Sequence, residues 1–169
     1  LSENELNDAQ TDLRMGQLLE KLHEDRLLVA FVAEFSRGKS ELINAIFFAD
    51  YGSRMLPSTA GRTTMCPTEL MYDASKPPSI ELLPIQTRET NASISEYKHL
   101  PNKWTTVPLE VESAESMQEA LRSVSETDRV TPEVAKKYGF VTGDKDSTVV
   151  PIAEDGLVEI PRWRHAMIN

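Results

Sequence analysis

Gly38, Lys39 and Ser40 stand together between an apolar run and a helix-like stretch in "LLVAFVAEFSRGKSELINAIF", residues 27–47. A glycine, a lysine and a hydroxyl at the start of a helix suit the binding of a phosphate chain. Backbone N–H groups of the loop and first helical turn converge on phosphate oxygens, the ammonium neutralises β and γ charge, and the hydroxyl can bind Mg²⁺. The cradle expected from this pattern runs through Glu34, Phe35, Ser36, Arg37, Gly38, Lys39, Ser40 and Glu41. Where G-x-x-x-x-G-K-[ST] begins with glycine, this chain has Ala33, a small side chain that the strand exit accepts if φ stays negative. A chance Gly-Lys-Ser at a helix start is the plain alternative, and the strand before it and helix after it weigh against chance.

Those flanking elements follow from periodicity. "LLVAFVA", residues 27–33, is a continuous apolar run of the length of a strand buried on both faces. Leu42, Ile43, Ile46 and Phe47 then fall on one side of a helix. Upstream, Met15, Leu18, Leu19 and Leu22 mark an amphipathic helix within residues 1–26. Residues 51–67 hold two glycines, two prolines and several hydroxyl residues and read as an extended loop. "TELMYD" and "SIELLPI" read as two strands joined by a turn around Lys76, Pro77 and Pro78, in an antiparallel part of the sheet. Pro84 confines the second to an edge or an early stop.

From residue 88 to 146 the chain turns polar and helix-forming. Met117, Ala120, Leu121 and Val124 share a face, and Thr131-Pro132-Glu133 starts a helix that Gly139 closes. This region is expected to be a helical insertion. Residues 147–169 return to strand, with "AEDG" as a hairpin turn between "STVVPI" and "LVEIP". The chain starts at Leu1 and stops on a strand-like pattern, so it is expected to be part of something longer.

A formal net charge of -9 disfavours nucleic acid, whose binding draws on clustered Lys and Arg, and also disfavours anionic membrane surfaces. No apolar run approaches the roughly 20 residues of a spanning helix, and the N-terminal residues lack a signal-peptide pattern. A cytoplasmic protein is the expectation, and the single cysteine, Cys66, fits a reducing compartment. Cys66, Trp104 and Trp163 read as packing residues. His23, His99 and His165 lack metal-ligand spacing.

"AEFSRGKSELINAI" followed by "LPSTAGRTTMCPTEL" resembles the first two nucleotide motifs of dynamin-like GTPases, especially the bacterial dynamin-like proteins and mitofusins. The resemblance implies an α/β fold of the P-loop NTPase type. It would be an incomplete three-layer α/β/α G domain, with residues 27–87 as its first part and 147–169 as returning strands. It implies GTP as substrate, Mg²⁺ as cofactor, a homodimer across the nucleotide face, and membrane remodelling through regions absent from this chain, with a peripheral membrane location for the longer protein. Carried over by residue, Lys39 would meet the β and γ phosphates, Ser36 the bridging region, and Ser40 and Thr64 the Mg²⁺, with Thr63 as the neighbouring alternative. A finger role does not transfer to Arg37, for which a solvated side chain is the better reading.

Two motifs of a complete GTPase do not occur. There is no D-x-x-G, and in "TGDKDS" Asp146 follows Lys145 directly, so the spacing that reads guanine is not met. In the family both lie downstream of the switch threonine. A degenerate nucleotide-binding scaffold and a P-loop ATPase are therefore the alternatives to a GTPase.

Overall fold

The computed structural model describes residues 15, 16, 19, 29–31, 37–56, 66–142 and 150–169. Contacts divide the chain into two units, Leu1–Glu34 and Phe35–Asn169. In the first, Met15, Gly16 and Leu19 are helical, as the periodicity predicts, while the rest of that helix lies outside the described residues. Residues 29–31 are in no strand, contrary to the expectation for 27–33. An apolar run signals burial, but a strand also needs a hydrogen-bonding neighbour, which the run itself does not specify.

The second unit is mixed α/β. Its first helix, α1 (Lys39–Phe47), leads through a 3-10 turn, Ala49–Tyr51. A four-stranded sheet follows from β1 (Thr68–Leu70), β2 (Ser79–Pro84), β3 (Thr105–Pro108) and the last strand, β6 (Trp163–Ile168), in the order β1-β6-β2-β3. The two expected strands are present and β2 is paired antiparallel on both sides, but β1 and β2 do not pair with each other. β6 lies between them, parallel to β1 with Glu69 opposite Met167, and antiparallel to β2 with Leu82 opposite Ala166. β2 is thus an inner strand. Pro84 acts as a stop: the ladder is irregular between Leu83 and Pro84, where a ring without an N–H ends regular pairing.

The stretch expected to be a helical insertion holds α2 (Ile94–Lys98), α3 (Ala114–Arg122) and α4 (Pro132–Lys137), but two strands as well. β3 joins the main sheet, and β4 (Thr127–Val130) pairs antiparallel with β5 (Val158–Pro161) in a second, two-stranded sheet. These strands are short and polar, "TTVP" and "TDRV", so little apolar alternation announces them. The helix ends follow their local chemistry. Ser93 and Glu96 close a reciprocal capping box on α2, Ser113 accepts from the Ser116 N–H at the start of α3, and Pro132 opens α4 before Gly139 (φ 79°) ends the turn. The expected hairpin at 153–156 is present: the Ala153 N–H donates to Leu157 O, the Gly156 N–H donates to Ala153 O, and Ile152 bridges Val158.

Alternation then sets the core. Ile80 and Leu82 of β2 and Ala166 and Ile168 of β6 face α3, whose Met117 and Leu121, with Val124 of the 3-10 turn after it, close the layer with Met55, Cys66 and Leu109. The shared helix face read from the sequence is therefore the buried one. The opposite sheet face carries Glu69 and His165, with α2 beside it through Lys98. A smaller core of Ala135, Val150, Val158 and Ile160 lies under the second sheet. No helix among the described residues is long and apolar enough to cross a membrane.

Leu121 is fully buried, so Leu121→Ala is expected to cost about 2–5 kcal/mol of unfolding free energy through lost burial and a residual cavity. Denaturant unfolding of both proteins checks this; a loss below about 1 kcal/mol would mean that α3 does not cover the sheet as described.

Candidate functional site

Gly38 is the N-cap of α1 and has φ 80° and ψ 18°, a left-handed conformation that a side chain makes costly. A Cβ built there would meet nothing within 4 Å, so backbone conformation rather than crowding calls for glycine. Its carbonyl accepts the Leu42 N–H at 2.9 Å, closing the first helical turn. Glycine at this position provides no side-chain cap for the helix start. Lys39 and Ser40, both half-buried, are therefore the first residues of a nine-residue helix whose positive dipole end lies at their backbone.

Of the residues expected to form the cradle, Arg37, Gly38, Lys39, Ser40 and Glu41 are described and lie consecutively at this helix start. Ala33, Glu34, Phe35, Ser36, Thr63 and Thr64 lie outside the described residues. Arg37 is exposed, and Glu41 forms an exposed ion pair with Arg54 at 3.2 Å. Among the described residues no group of three or more His, Cys, Asp or Glu side chains could hold a metal. The Ser40 hydroxyl is a hard oxygen of the type Mg²⁺ takes, and one hydroxyl suits Mg²⁺ carried largely by nucleotide phosphates and water rather than by a protein cage.

The helix meets the rest of its unit in an unexpected way. Leu42, Ile46 and Phe47, expected on one side of a helix, are 51%, 55% and 53% exposed. The buried side chain of α1 is Asn44. Its Nδ2 donates to Leu56 O at 3.0 Å and its Oδ1 accepts the Leu56 N–H at 2.8 Å. The sequence signal was a lone amide between Ile43 and Ile46, which apolar periodicity passes over.

A polar cluster on the other sheet face was missed as well. His165, 8% exposed, shares a 2.9 Å hydrogen bond from Nε2 with Glu69 Oε1, and Lys98 Nζ donates to both Glu69 oxygens at 2.9 and 2.7 Å. Burial pushes the His165 imidazole below its ordinary value; Glu69 opposes that, and Lys98 and Arg164 add to it. Burial pushes the Glu69 carboxyl up, but Lys98 and His165 outweigh it and hold the group below the usual carboxylate range. With histidine neutral and glutamate ionised, Nε2–H is the donor. The pair lies 96 residues apart and had no spacing by which to be found.

Cys66 is a packing residue: 2% exposed, its thiol pushed up to about 12 by burial, with nearby Arg88 opposing. The two indoles are anchored to backbone, Trp104 Nε1 donating to Tyr97 O at 2.8 Å and Trp163 Nε1 to Ser123 O at 2.7 Å.

Residues 29–150 match the sequence model of the Dynamin family, which spans the loop, α1 and most of the main sheet. Among curated proteins and among solved structures, nothing matches.

The buried histidine sets an acid limit on stability. Its depressed proton affinity means that the unfolded chain binds more protons just below the ordinary value of 6.5, so stability is lost as pH falls through that window. The depressed Glu69 carboxyl adds a second loss, which begins below its ordinary value of 4.5. The melting temperature is expected to fall steadily from pH 7 to pH 4. His165→Gln, which keeps a donor for Glu69 and cannot titrate, should flatten the upper part of that fall; an unchanged slope would remove His165 as its source.

Proposed function

We propose that this chain, which belongs to the dynamin family, binds GTP at the start of α1 and forms part of a GTPase. The observation that carries the reading is the left-handed Gly38 followed at once by Lys39 and Ser40 at a helix N-terminus. Four features meet there that favour a phosphate chain: a backbone turned by glycine, first-turn amides, a lysine, and a hydroxyl one residue on. The P-loop type of fold belongs to this same reading.

The residue roles follow from that chemistry. The Lys39 ammonium neutralises charge on the β and γ phosphates, and the loop backbone from Glu34 to Glu41 holds the chain in line. The role carried over to Ser36 is contact with the bridging region between those phosphates. Ser40 and Thr64, with Thr63 as the neighbouring alternative, would supply hydroxyl oxygens to Mg²⁺, which would add neutralisation of charge developing on the phosphates. Catalysis in this reading is positioning and electrostatics, without covalent chemistry by the protein. A second copy across the nucleotide face would complete the hydrolytic site. A cytoplasmic protein acting peripherally on a membrane, and remodelling it, is the reading for the longer protein.

Guanine recognition rests on family membership, because the residues that would read the base are not in this sequence. The replacement of the first loop glycine by Ala33 favours the scaffold alternative, in which the loop holds nucleotide weakly or not at all.

Titration with fluorescent GTP and ATP analogues in Mg²⁺ tests the reading. In the longer protein GTP is expected to bind in preference to ATP, since the Lys39 and Ser40 contacts of this chain do not themselves distinguish the bases. Lys39→Ala should weaken binding by about tenfold to a hundredfold, the equivalent of the roughly 1.5–3 kcal/mol contributed by a charge-assisted hydrogen bond. Equal affinity of the variant would take Lys39 off the phosphates, and no binding of either nucleotide would favour the scaffold.

A further inference from the structure

Helix α1 buries an amide where a packing helix would bury an aliphatic side chain. Asn44 is 7% exposed, and its amide is spent on one residue, giving a donor to Leu56 O and an acceptor to the Leu56 N–H. Pairing both backbone groups of a single residue reproduces the hydrogen bonding of a strand neighbour, and so fixes the direction of the chain at Leu56 as well as its distance. Leu56 precedes Pro57, which restricts its backbone to extended conformations and makes that direction still more definite.

Residues 54–56 are fastened on further sides. Met55 is 1% exposed and sits in the main core, Gln118 Nε2 of α3 donates to Arg54 O at 2.8 Å, and the Arg54 guanidinium pairs with Glu41. They form a strap between α1 and the core. Asn44 lies four residues after Ser40 and three after Glu41, so all three occupy one helix face, with Ser40 about one turn of 5.4 Å above the clamp. The attachment of the strap and the hydroxyl proposed to face Mg²⁺ are therefore stacked on one rigid surface.

We propose that Asn44 is a positioning residue that couples the phosphate-binding start of α1 to the strap at Arg54–Leu56, so that nucleotide at Lys39 and Ser40 tightens the strap. The coupling rests on the nucleotide reading above. The mechanism is local: phosphate on the first-turn amides and Ser40 steadies α1, and the two hydrogen bonds of Asn44 pass that steadying to the Leu56 backbone. From Leu56 the chain continues toward Thr63 and Thr64, so a fixed Leu56 sets the origin of that segment.

Amide hydrogen exchange at Leu56, read by NMR with and without GTPγS and Mg²⁺, tests the proposal in the wild type, Asn44→Ala and Asn44→Asp. In the wild type, nucleotide is expected to slow exchange at Leu56. In Asn44→Ala, nucleotide should still bind within a few-fold, while basal protection at Leu56 drops roughly tenfold and no longer responds to nucleotide. Asn44→Asp keeps the acceptor for the Leu56 N–H but loses the donor to its carbonyl, so it should retain part of the basal protection with a weakened response. If Asn44→Ala does not fold, as a melting curve will tell, the Asp variant decides by the same criteria. A nucleotide response at Leu56 that is undiminished from wild type in the folded variants overturns the coupling and leaves the nucleotide site standing, as does a wild type that binds nucleotide without any response at Leu56. A wild type that binds no nucleotide overturns the functional reading and the coupling with it.

Discussion

The pairing of β6 in the middle of the main sheet is the constraint on which the main core depends. Among the described residues β6 is the strand that pairs with both β1 and β2, and its residues His165–Ile168 are buried in succession. Its partners on β1 lie almost a hundred residues earlier, a closure whose entropic cost grows only with the logarithm of the loop. The return is a ladder on both sides. Asn169 completes it: its side chain accepts the Asp73 N–H at 2.7 Å and donates to the Asp73, Lys76 and Pro77 carbonyls, while its backbone exchanges two hydrogen bonds with Ser79. The turn between β1 and β2 is thus organised around the end of a strand that neither of them adjoins in sequence.

This explains which parts of the fold were legible in the sequence. Local signals held where local physics decides: the helix after Gly38, the face of Met117, Leu121 and Val124, the Thr131-Pro132 helix start, and the hairpin at Asp155-Gly156. Pairing did not follow from proximity, because two adjacent apolar segments suggest a hairpin while a third strand can insert between them only if its distant sequence is considered. The polar strands β3 and β4 were hidden for the opposite reason, having too little alternation to stand out from helix-forming surroundings. For residues 29–31 the apolar composition was read correctly as composition, but no strand accompanies it.

The candidate site divides along the same line. Gly38, Lys39 and Ser40 are contiguous, so the chemistry they could do was read directly, and Gly38 is left-handed at the helix start. Asn44 and the Glu69–His165–Lys98 cluster depend on chain segments brought together by folding, over 12 residues in the first case and 96 in the second. Arg164 belongs with them, its guanidinium donating to Thr87 O and Ala92 O and lying 5.5 Å from the Tyr97 ring centre, so that it holds the segment leading into α2. Buried polar groups of this kind must be paired with defined partners, which is why they mark how elements are oriented more sharply than the aliphatic core does.

The central claim is that phosphate docks on the first turn of α1, and the backbone amide resonances of Gly38, Lys39 and Ser40 report on it most directly. Addition of GTPγS with Mg²⁺ is expected to shift those three resonances strongly and to leave β4 and β5 unchanged. Shifts that spare residues 38–40, or appear only elsewhere in the chain, would contradict a phosphate site at this helix.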